Sequence, residues 1–326
     1  MQDPEKVISP CTYCGSEKSN WFCNTDDIFG NSYGIRCCND CKAYFLSPFP
    51  SEEMLKEAYD KTYYGTSKNK FIFPFVERSA DYFRKRRAGN IMKLLPEHAR
   101  ILDIGCGNGD FLRYVSLCGD HELYGIERDE EAAKRAKTKT NIHLQTTPLQ
   151  ENDYGENFFD AVTLFHVFEH LAEPRKTLEI ISKILKPGGI LIISFPNIGS
   201  FQAGLFKGKW FHMDPPRHLL FFKPEDFTRI LKNLKFTLLR SNYSSIEQNP
   251  YGWVQSILNL FCAKREVLYE RLKGNRQYAS ENGRMLIFFQ KCFFIFSFPV
   301  FVVLNFFGGV LKKGATVQFL FKNEKS

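Results

Sequence analysis

The feature that most restricts the fold is a strand that runs straight into glycines. Ile101-Leu102-Asp103-Ile104 is a short apolar run, and Gly105-Cys106-Gly107-Asn108-Gly109 follows it directly. Glycines there let the backbone turn sharply and let a ligand approach the main chain, at the carboxyl edge of a sheet where α/β ligands bind. Leu123-Tyr124-Gly125-Ile126 reads as the next strand and ends in Glu127, 22 residues after Gly105. An acid in that place can accept two hydrogen bonds from ribose hydroxyls. Asp110 follows Gly109, so the third glycine of a G-x-G-x-x-G fingerprint is missing and a nicotinamide dinucleotide loses ground.

Strand-like and helix-like stretches alternate around this loop. A helix through Leu117 and another over 129–139 are expected, with strands at 142–144, 159–165 and 190–195, the last entered through Leu185-Lys186-Pro187-Gly188-Gly189. Residues 236–240 and 316–321 read as two final strands. The order predicts an α/β fold with a doubly wound, mostly parallel sheet of seven strands.

Both ends of the chain depart from ordinary composition. Of 10 Cys in 326 residues, six fall in the first 41. Cys11-Thr12-Tyr13-Cys14-Gly15 and Cys38-Asn39-Asp40-Cys41 are two CxxC pairs that can offer four thiolates to one tetrahedral Zn²⁺. Cys37 offers an alternative pairing with Cys41, and Cys23 is a spare. A site closed by four protein thiolates folds a ribbon and does not activate water. The segment MQDPEKVISP ahead of Cys11 has no apolar stretch, so no cleavable secretory signal is expected and the thiols are expected to meet a reducing cytosol.

At the other end, nine of the 33 Phe lie within 285–311. Residues 253–272 carry Val254, Ile257, Leu258, Phe261, Leu268 and Leu272 at helical spacing. Residues 292–311 then run uncharged up to Lys312-Lys313, long enough to cross a membrane. A single crossing would strand the last strand on the wrong side of its sheet. A monotopic or re-entrant hairpin broken near Pro299 is expected instead, with a buried helix pair as the alternative. A mean hydropathy of −0.29 excludes a polytopic membrane protein. The net charge of +8 permits anionic partners and proves none. Arg84-Lys85-Arg86-Arg87 is read as a solvated helix face, and the aromatic stretch 61–75 as core packing or a cover over a ligand pocket. The domain reading is therefore a ribbon (1–47), a linker with helices (48–99), a core (100–250), an aromatic helical insertion (251–313) and a last strand (314–326).

Residues 100–240 resemble the class I S-adenosylmethionine-dependent methyltransferases. Asp103 to Gly109 matches that family's nucleotide loop, Glu127 its ribose carboxylate, and Leu185-Lys186-Pro187-Gly188-Gly189 its turn into the fifth strand. Asp160-Ala-Val-Thr-Leu-Phe-His166-Val-Phe-Glu169-His170 is similar to the fourth-strand segment of quinone-biosynthesis O-methyltransferases. The CxxCG start and the second CxxC, running on to Phe45-Leu46-Ser47-Pro48, resemble a zinc-ribbon subgroup associated with surface-polysaccharide pathways. The resemblance implies S-adenosylmethionine held by Asp103, Gly105, Cys106, Gly107, Asn108, Gly109, Glu127, Arg128, Thr147, Leu149 and Phe165. In place of the family's frequent acid after the third strand stands Gln145-Thr146-Thr147-Pro148-Leu149, which leaves the adenine to Thr147 or to the backbone near Leu149.

Histidines dominate the acceptor side. His166, Glu169 and His170 stand at i, i+3 and i+4 and would share the face of a helical turn, as a base with its partners or as ligands of a divalent cation. Trp210-Phe-His212-Met-Asp214-Pro-Pro-Arg217-His218 supplies a second candidate base, His218, ranked level with His166. The expected activity is O-methylation of a sugar, glycan or lipid-linked acceptor by a cytoplasmic protein, peripheral on the inner face of the membrane through residues 285–311. An RNA methyltransferase is the rival reading, weakened because the basic residues are dispersed and the ribbon carries few of them. A non-catalytic ribbon adaptor is the other, weakened by the intact glycine loop and Glu127.

Overall fold

The computed structural model describes residues 8–59, 74–275, 278 and 283–325, so most of the aromatic stretch 61–75 lies outside the described residues. The chain opens with an antiparallel meander, β1 (Ser19–Asp26), β2 (Ser32–Cys38) and β3 (Tyr44–Ser47). Helices α1 (Glu52–Ala58) and α2 (Pro74–Met92) follow. The alternating region holds β4 (Arg100–Ile104), α3 (Asp110–Ser116), β5 (Glu122–Ile126), α4 (Glu130–Lys139), β6 (His143–Gln145), β7 (Phe159–Phe165), α5 (Pro174–Ile184) and β8 (Leu185–Pro196). Next come α6 (Phe201–Phe206), β9 (Leu220–Phe221), α7 (Pro224–Asn233) and β10 (Phe236–Asn242). Three helices, α8 (Asn249–Phe261), α9 (Val267–Lys273) and α10 (Arg284–Val310), precede β11 (Thr316–Asn323).

Seven strands form the main sheet in the order β10-β11-β8-β7-β4-β5-β6, with β11 antiparallel to both neighbours. Its strands are apolar on both faces. Leu102, Ile104, Val162, Leu164, Leu191 and Ile193 point into one core, and Ile101, Ala161, Ile190 and Ile192 into the other. That period-two division is what a parallel sheet covered on both sides requires. The chain leaves β4 one way, for β5 and β6, and returns on the other side for β7 and β8. Such a reversal opens a crevice between the carboxyl ends of β4 and β7.

The ribbon is built into this body. Its sheet gains a fourth strand from far along the chain, because β3 pairs with β9 through Tyr44–Phe221 and Phe45–Leu220. Cys11, Cys38 and Phe45 share one core with Leu178 and Phe222. The strand expected at 190–195 begins five residues earlier, at Leu185, whose fully buried side chain stands opposite Phe159. A register shift after Phe159 absorbs the Pro-Gly-Gly segment there.

The insertion departs most from expectation. The helical spacing over 253–272 is realised as two helices, α8 and α9, separated at Cys262–Glu266. No hairpin breaks at Pro299: α10 is a single 27-residue helix with Pro299 inside it. An internal proline costs a helix a hydrogen bond and about 3 kcal/mol, and packing on both sides of it holds α10 together. Phe294 and Phe298 before Pro299, and Phe301 after it, join one cluster with Val254, Leu258 and Leu268. Trp253 stacks on Phe301 at 5.8 Å. Asn249 Nδ2 donates to Asn305 Oδ1 at 2.8 Å.

Arg265 fastens the insertion to the ribbon. Its buried guanidinium donates from Nη1 to Thr25 Oγ1, Asp26 O and Gly208 O, and from Nη2 to Trp210 O, at 2.8–3.0 Å. Truncation would leave these acceptors and the equally buried Glu266 without their cation. Arg265→Ala is expected to lower unfolding stability by about 3 kcal/mol in urea. A loss below about 1 kcal/mol would show that the clamp carries little of the fold.

Candidate functional site

The crevice is lined from one side by the glycine loop. Gly105, Gly107 and Gly109 all have positive φ, and the N–H groups of Gly105 and Cys106 donate to Ile126 O at 2.7 and 3.0 Å. A Cβ on Gly105 would sit 2.3 Å from Val167 Cγ2, whereas one on Gly107 would meet nothing within 4 Å. The first glycine is thus demanded by protein packing. The second leaves an open cradle in the loop. Glu127 is buried, and its two oxygens accept the N–H groups of Gly107 and Asp129 at 2.8 and 2.9 Å. Asp103 accepts from Thr163 Oγ1 at 2.6 Å. Burial pushes the Asp103 carboxyl up to about 7 and raises that of Glu127 as well.

The other expected donor contacts divide. Asn108 Oδ1 accepts from Arg135 Nε, and Cys106 packs inward against Gly125. Phe165, at the end of β7, packs edge-on against Phe111 and lies under the guanidinium of Arg87, 4.5 Å from the ring centre. Arg128 and Thr147 are exposed, and Leu149 is buried in the main core. Arg87 belongs to the basic run read as a solvated face. Its contact with Phe165 and its ion pair with Glu247 at 2.8 Å were hidden because both partners come from distant elements.

Across the crevice, His166 follows the last residue of β7 and has φ +56, and a 3₁₀ turn spans Phe168–His170. His166 therefore precedes the turn instead of sharing its face. It reaches Glu169 alone, Nδ1 to Oε1 at 3.3 Å. The loop after α6 brings His218 alongside, its ring centre 4.6 Å from that of His170. Glu169, His170 and His218, not the expected His166 trio, each offer a ligand atom within 4.8 Å of the others. The two clusters that the sequence left as rivals thus form one site. Glu169 is 1% exposed and its Oε2 accepts no hydrogen bond from the described residues.

Carbonyl oxygens only accept, so they fix the ring tautomers. His218 Nδ1 donates to His212 O at 2.8 Å and His170 Nδ1 to Arg217 O at 2.9 Å, so the neutral form of each ring carries its lone pair on Nε2. Burial, reinforced by the neighbouring His218, holds His170 down to about 4. Burial and His166 hold His212 at about 3. Glu169 lies below the usual carboxylate range: burial opposes its charge, but the hydrogen bond from His166 and the surrounding histidines outweigh it. Asp214 is likewise low, because Arg217 and His218 overcome its burial. Arg217 grips Asp214 through two nitrogens and reaches Ala58 O with the third. Tyr59 Oη, absent from the sequence reading, lies 2.9 Å from His170 Nδ1.

The four expected thiols converge. Cys11 Sγ lies 3.6 Å from Cys41 Sγ, and Cys14 Sγ 3.5 Å from Cys38 Sγ, with all four within 4.8 Å of one another and none in a disulfide. A tetrahedral zinc with bonds of about 2.3 Å has sulfur–sulfur edges of about 3.8 Å, so the set fits that ion. Cys37 and Cys23 belong to a separate core and not to this cluster.

Comparison with known proteins agrees with this geometry. A family model described as a methyltransferase domain matches residues 75–241. The ubiquinone biosynthesis O-methyltransferase of Aromatoleum aromaticum is 33% identical over 118 residues, 33% of this chain and 47% of that protein. The mitochondrial enzyme of the same name from Dictyostelium discoideum is 26% identical over 146 residues, 40% and 45% of the two chains. The chain thus spans about half the length of these relatives. A proposed sarcosine dimethylglycine methyltransferase from Galdieria sulphuraria shares the fold at a TM-score of 0.50 and 16% identity, over 77% of this chain and 88% of that one.

Metal analysis of the purified protein is expected to give about one zinc per chain, lost in Cys14→Ser or Cys38→Ser. Fully folded wild-type protein without metal would refute the assignment.

Proposed function

Because the chain belongs to the methyltransferase-domain family, we propose that it moves a methyl group from S-adenosylmethionine to an oxygen of a sugar, glycan or lipid-linked small molecule. The observation that carries this reading is the contact of Val167 with Gly105, which sets His166 beside the donor loop. Gly107 offers its open backbone to the donor, and Glu127 has lone pairs left for ribose hydroxyls. The donor supplies a methyl group already activated on a positive sulfonium. What remains for the protein is to align the acceptor oxygen and take its proton.

His166 suits that role. Its Nδ1–H points to the Glu169 carboxylate, which leaves Nε2 to accept the hydroxyl proton, and its side chain is 28% exposed. His218, 10% exposed, lines the acceptor side with Asp214 and Arg217. The relatives' names support oxygen as the acceptor atom. The aromatic insertion supports a lipid-linked molecule and peripheral contact with the inner face of a membrane through residues 285–311. A second reading of the same site rests on the unpartnered Glu169 Oε2: with His170 and His218 it would hold a divalent cation that lowers the pKa of the acceptor hydroxyl.

Calorimetric titration with S-adenosylhomocysteine tests the donor site. Gly105→Val is expected to abolish binding because the side chain would occupy the space of Val167, and Glu127→Ala to weaken it by about tenfold or more. No binding to folded wild type would overturn the reading. His166→Asn is expected to lower kcat by about 100-fold or more with donor affinity unchanged.

A pH dependence follows from Asp103. A carboxyl raised to about 7 in the folded protein is largely protonated below that pH, and a cationic donor favours its ionised form. Donor binding is expected to expel a proton below pH 7, and to tighten as pH rises toward 7 and level off above it. Asp103→Asn should flatten that dependence, and a flat wild-type profile would contradict it.

A further inference from the structure

Helix α10 is inside out. Its buried positions, Gln290, Phe301, Asn305 and Gly308, form one seam, and two of the four are polar amides. Gln290 donates to Cys262 Sγ at 3.2 Å, and Asn305 is held between Asn249 and Ser244. The opposite face is apolar and bare: Phe288, Phe289, Phe296, Val303, Phe306 and Phe307 are 54–80% exposed. At 3.6 residues per turn these six span about 100°, and Ile295, Val300 and Leu304, 41–64% exposed, widen the arc to about 180°. Arg284 and Lys291, the charged residues of the helix, both lie off that arc. A helix in water turns its apolar stripe toward the protein and its polar face outward, whereas α10 exposes a wide apolar arc and seats two amides among the apolar contacts of its protein side.

The occupant follows from the width of the arc and from the charges around it. A helix packed on one neighbour needs an apolar stripe of about 100°, and protein interfaces carry a polar rim. An arc nearly twice as wide, bordered by cations, suits a continuous apolar medium beneath an anionic surface. Exposed Arg284, Lys291, Lys312 and Lys313 stand at its borders and ends, placed for anionic headgroups. Phe261 at the end of α8, 82% exposed, adds to the patch.

Orientation follows from the seam. It holds the helix to the body from Gln290 to Gly308, so a crossing would carry α8 and α9 into hydrocarbon. With them would go Arg265, Glu266, Glu270 and Lys273, which are charged and buried in protein. We infer that α10 lies flat in the membrane interface, its apolar arc among the acyl chains of an anionic phospholipid surface and its amide seam toward the protein. Ring contacts run from Phe294 of α10 through Tyr251 to Phe211, beside His212, so lipid seating brings the acceptor loop to the bilayer. The inference rests on the membrane-contact part of the reading above and is independent of the methyl-transfer chemistry.

The test is flotation of the full chain with preformed vesicles of phosphatidylcholine, alone and mixed with phosphatidylglycerol. Wild type is expected to rise with the mixed vesicles. Phe296→Glu/Phe307→Glu is expected to lose about 100-fold or more in partitioning, with its circular dichroism melt unchanged. Phe296→Gln alone, at a residue 80% exposed, gives the same reading should the double variant fold poorly. Three results would overturn the inference: wild type left in the bottom fraction, association only on reconstitution from detergent, or a dimer that the double variant dissolves while flotation is unaffected. S-adenosylhomocysteine titration of the same preparations reports the donor site separately.

Discussion

The reversal of chain direction at β4 is the constraint on which the rest depends. It sets the carboxyl end of β4 beside that of β7, so the glycine loop and the His166 turn face each other. Their separation is fixed by contact, since Val167 fills the space that any Cβ on Gly105 would need. Methyl transfer by in-line displacement is sensitive to small errors of position. Here the positions are set by backbone packing at the sheet edge and not by long flexible side chains.

The ribbon extends that fixation to the histidine cluster. β9 pairs with β3, Leu46 N–H donates to Leu219 O, and Leu219 N–H donates to Glu169 O. His218 stands next to this junction and is oriented by the carbonyl of His212. Zinc held by the four thiols would fold the ribbon, and its free energy would then also shape the site through β3 and β9. Arg265 closes the structure from the other side, joining the insertion to β1 and to the loop that carries Trp210.

Features set by local pattern were legible in the sequence. The glycine loop, Glu127 and the seven strands follow from residue spacing, and the family match bears out the fold class. The four-thiol set follows from two CxxC pairs, although only the structure separates Cys37 from Cys38 as a neighbour of Cys41. Features that depend on distant partners were not legible. The pairing of β9 with β3 rests on two residues, Leu220 and Phe221, too short a run to carry a strand signal. Arg87 looked like surface because its partners, Phe165 and Glu247, lie 78 and 160 positions away. Pro299 looked like a break because local propensity favours one, and tertiary packing along the seam of α10 overrides it.

A donor loop, a histidine cluster and an outward-facing apolar helix meet in one body, and the function proposed for it is methylation of a small or lipid-linked acceptor. Transfer of radiolabel from methyl-labelled S-adenosylmethionine into cell extract, separated into aqueous small-molecule, lipid-extractable and nucleic-acid pools, tests that function. Label is expected in the small-molecule or lipid-extractable pool. Label confined to nucleic acid, or no label in any pool from protein that binds the donor, would contradict it.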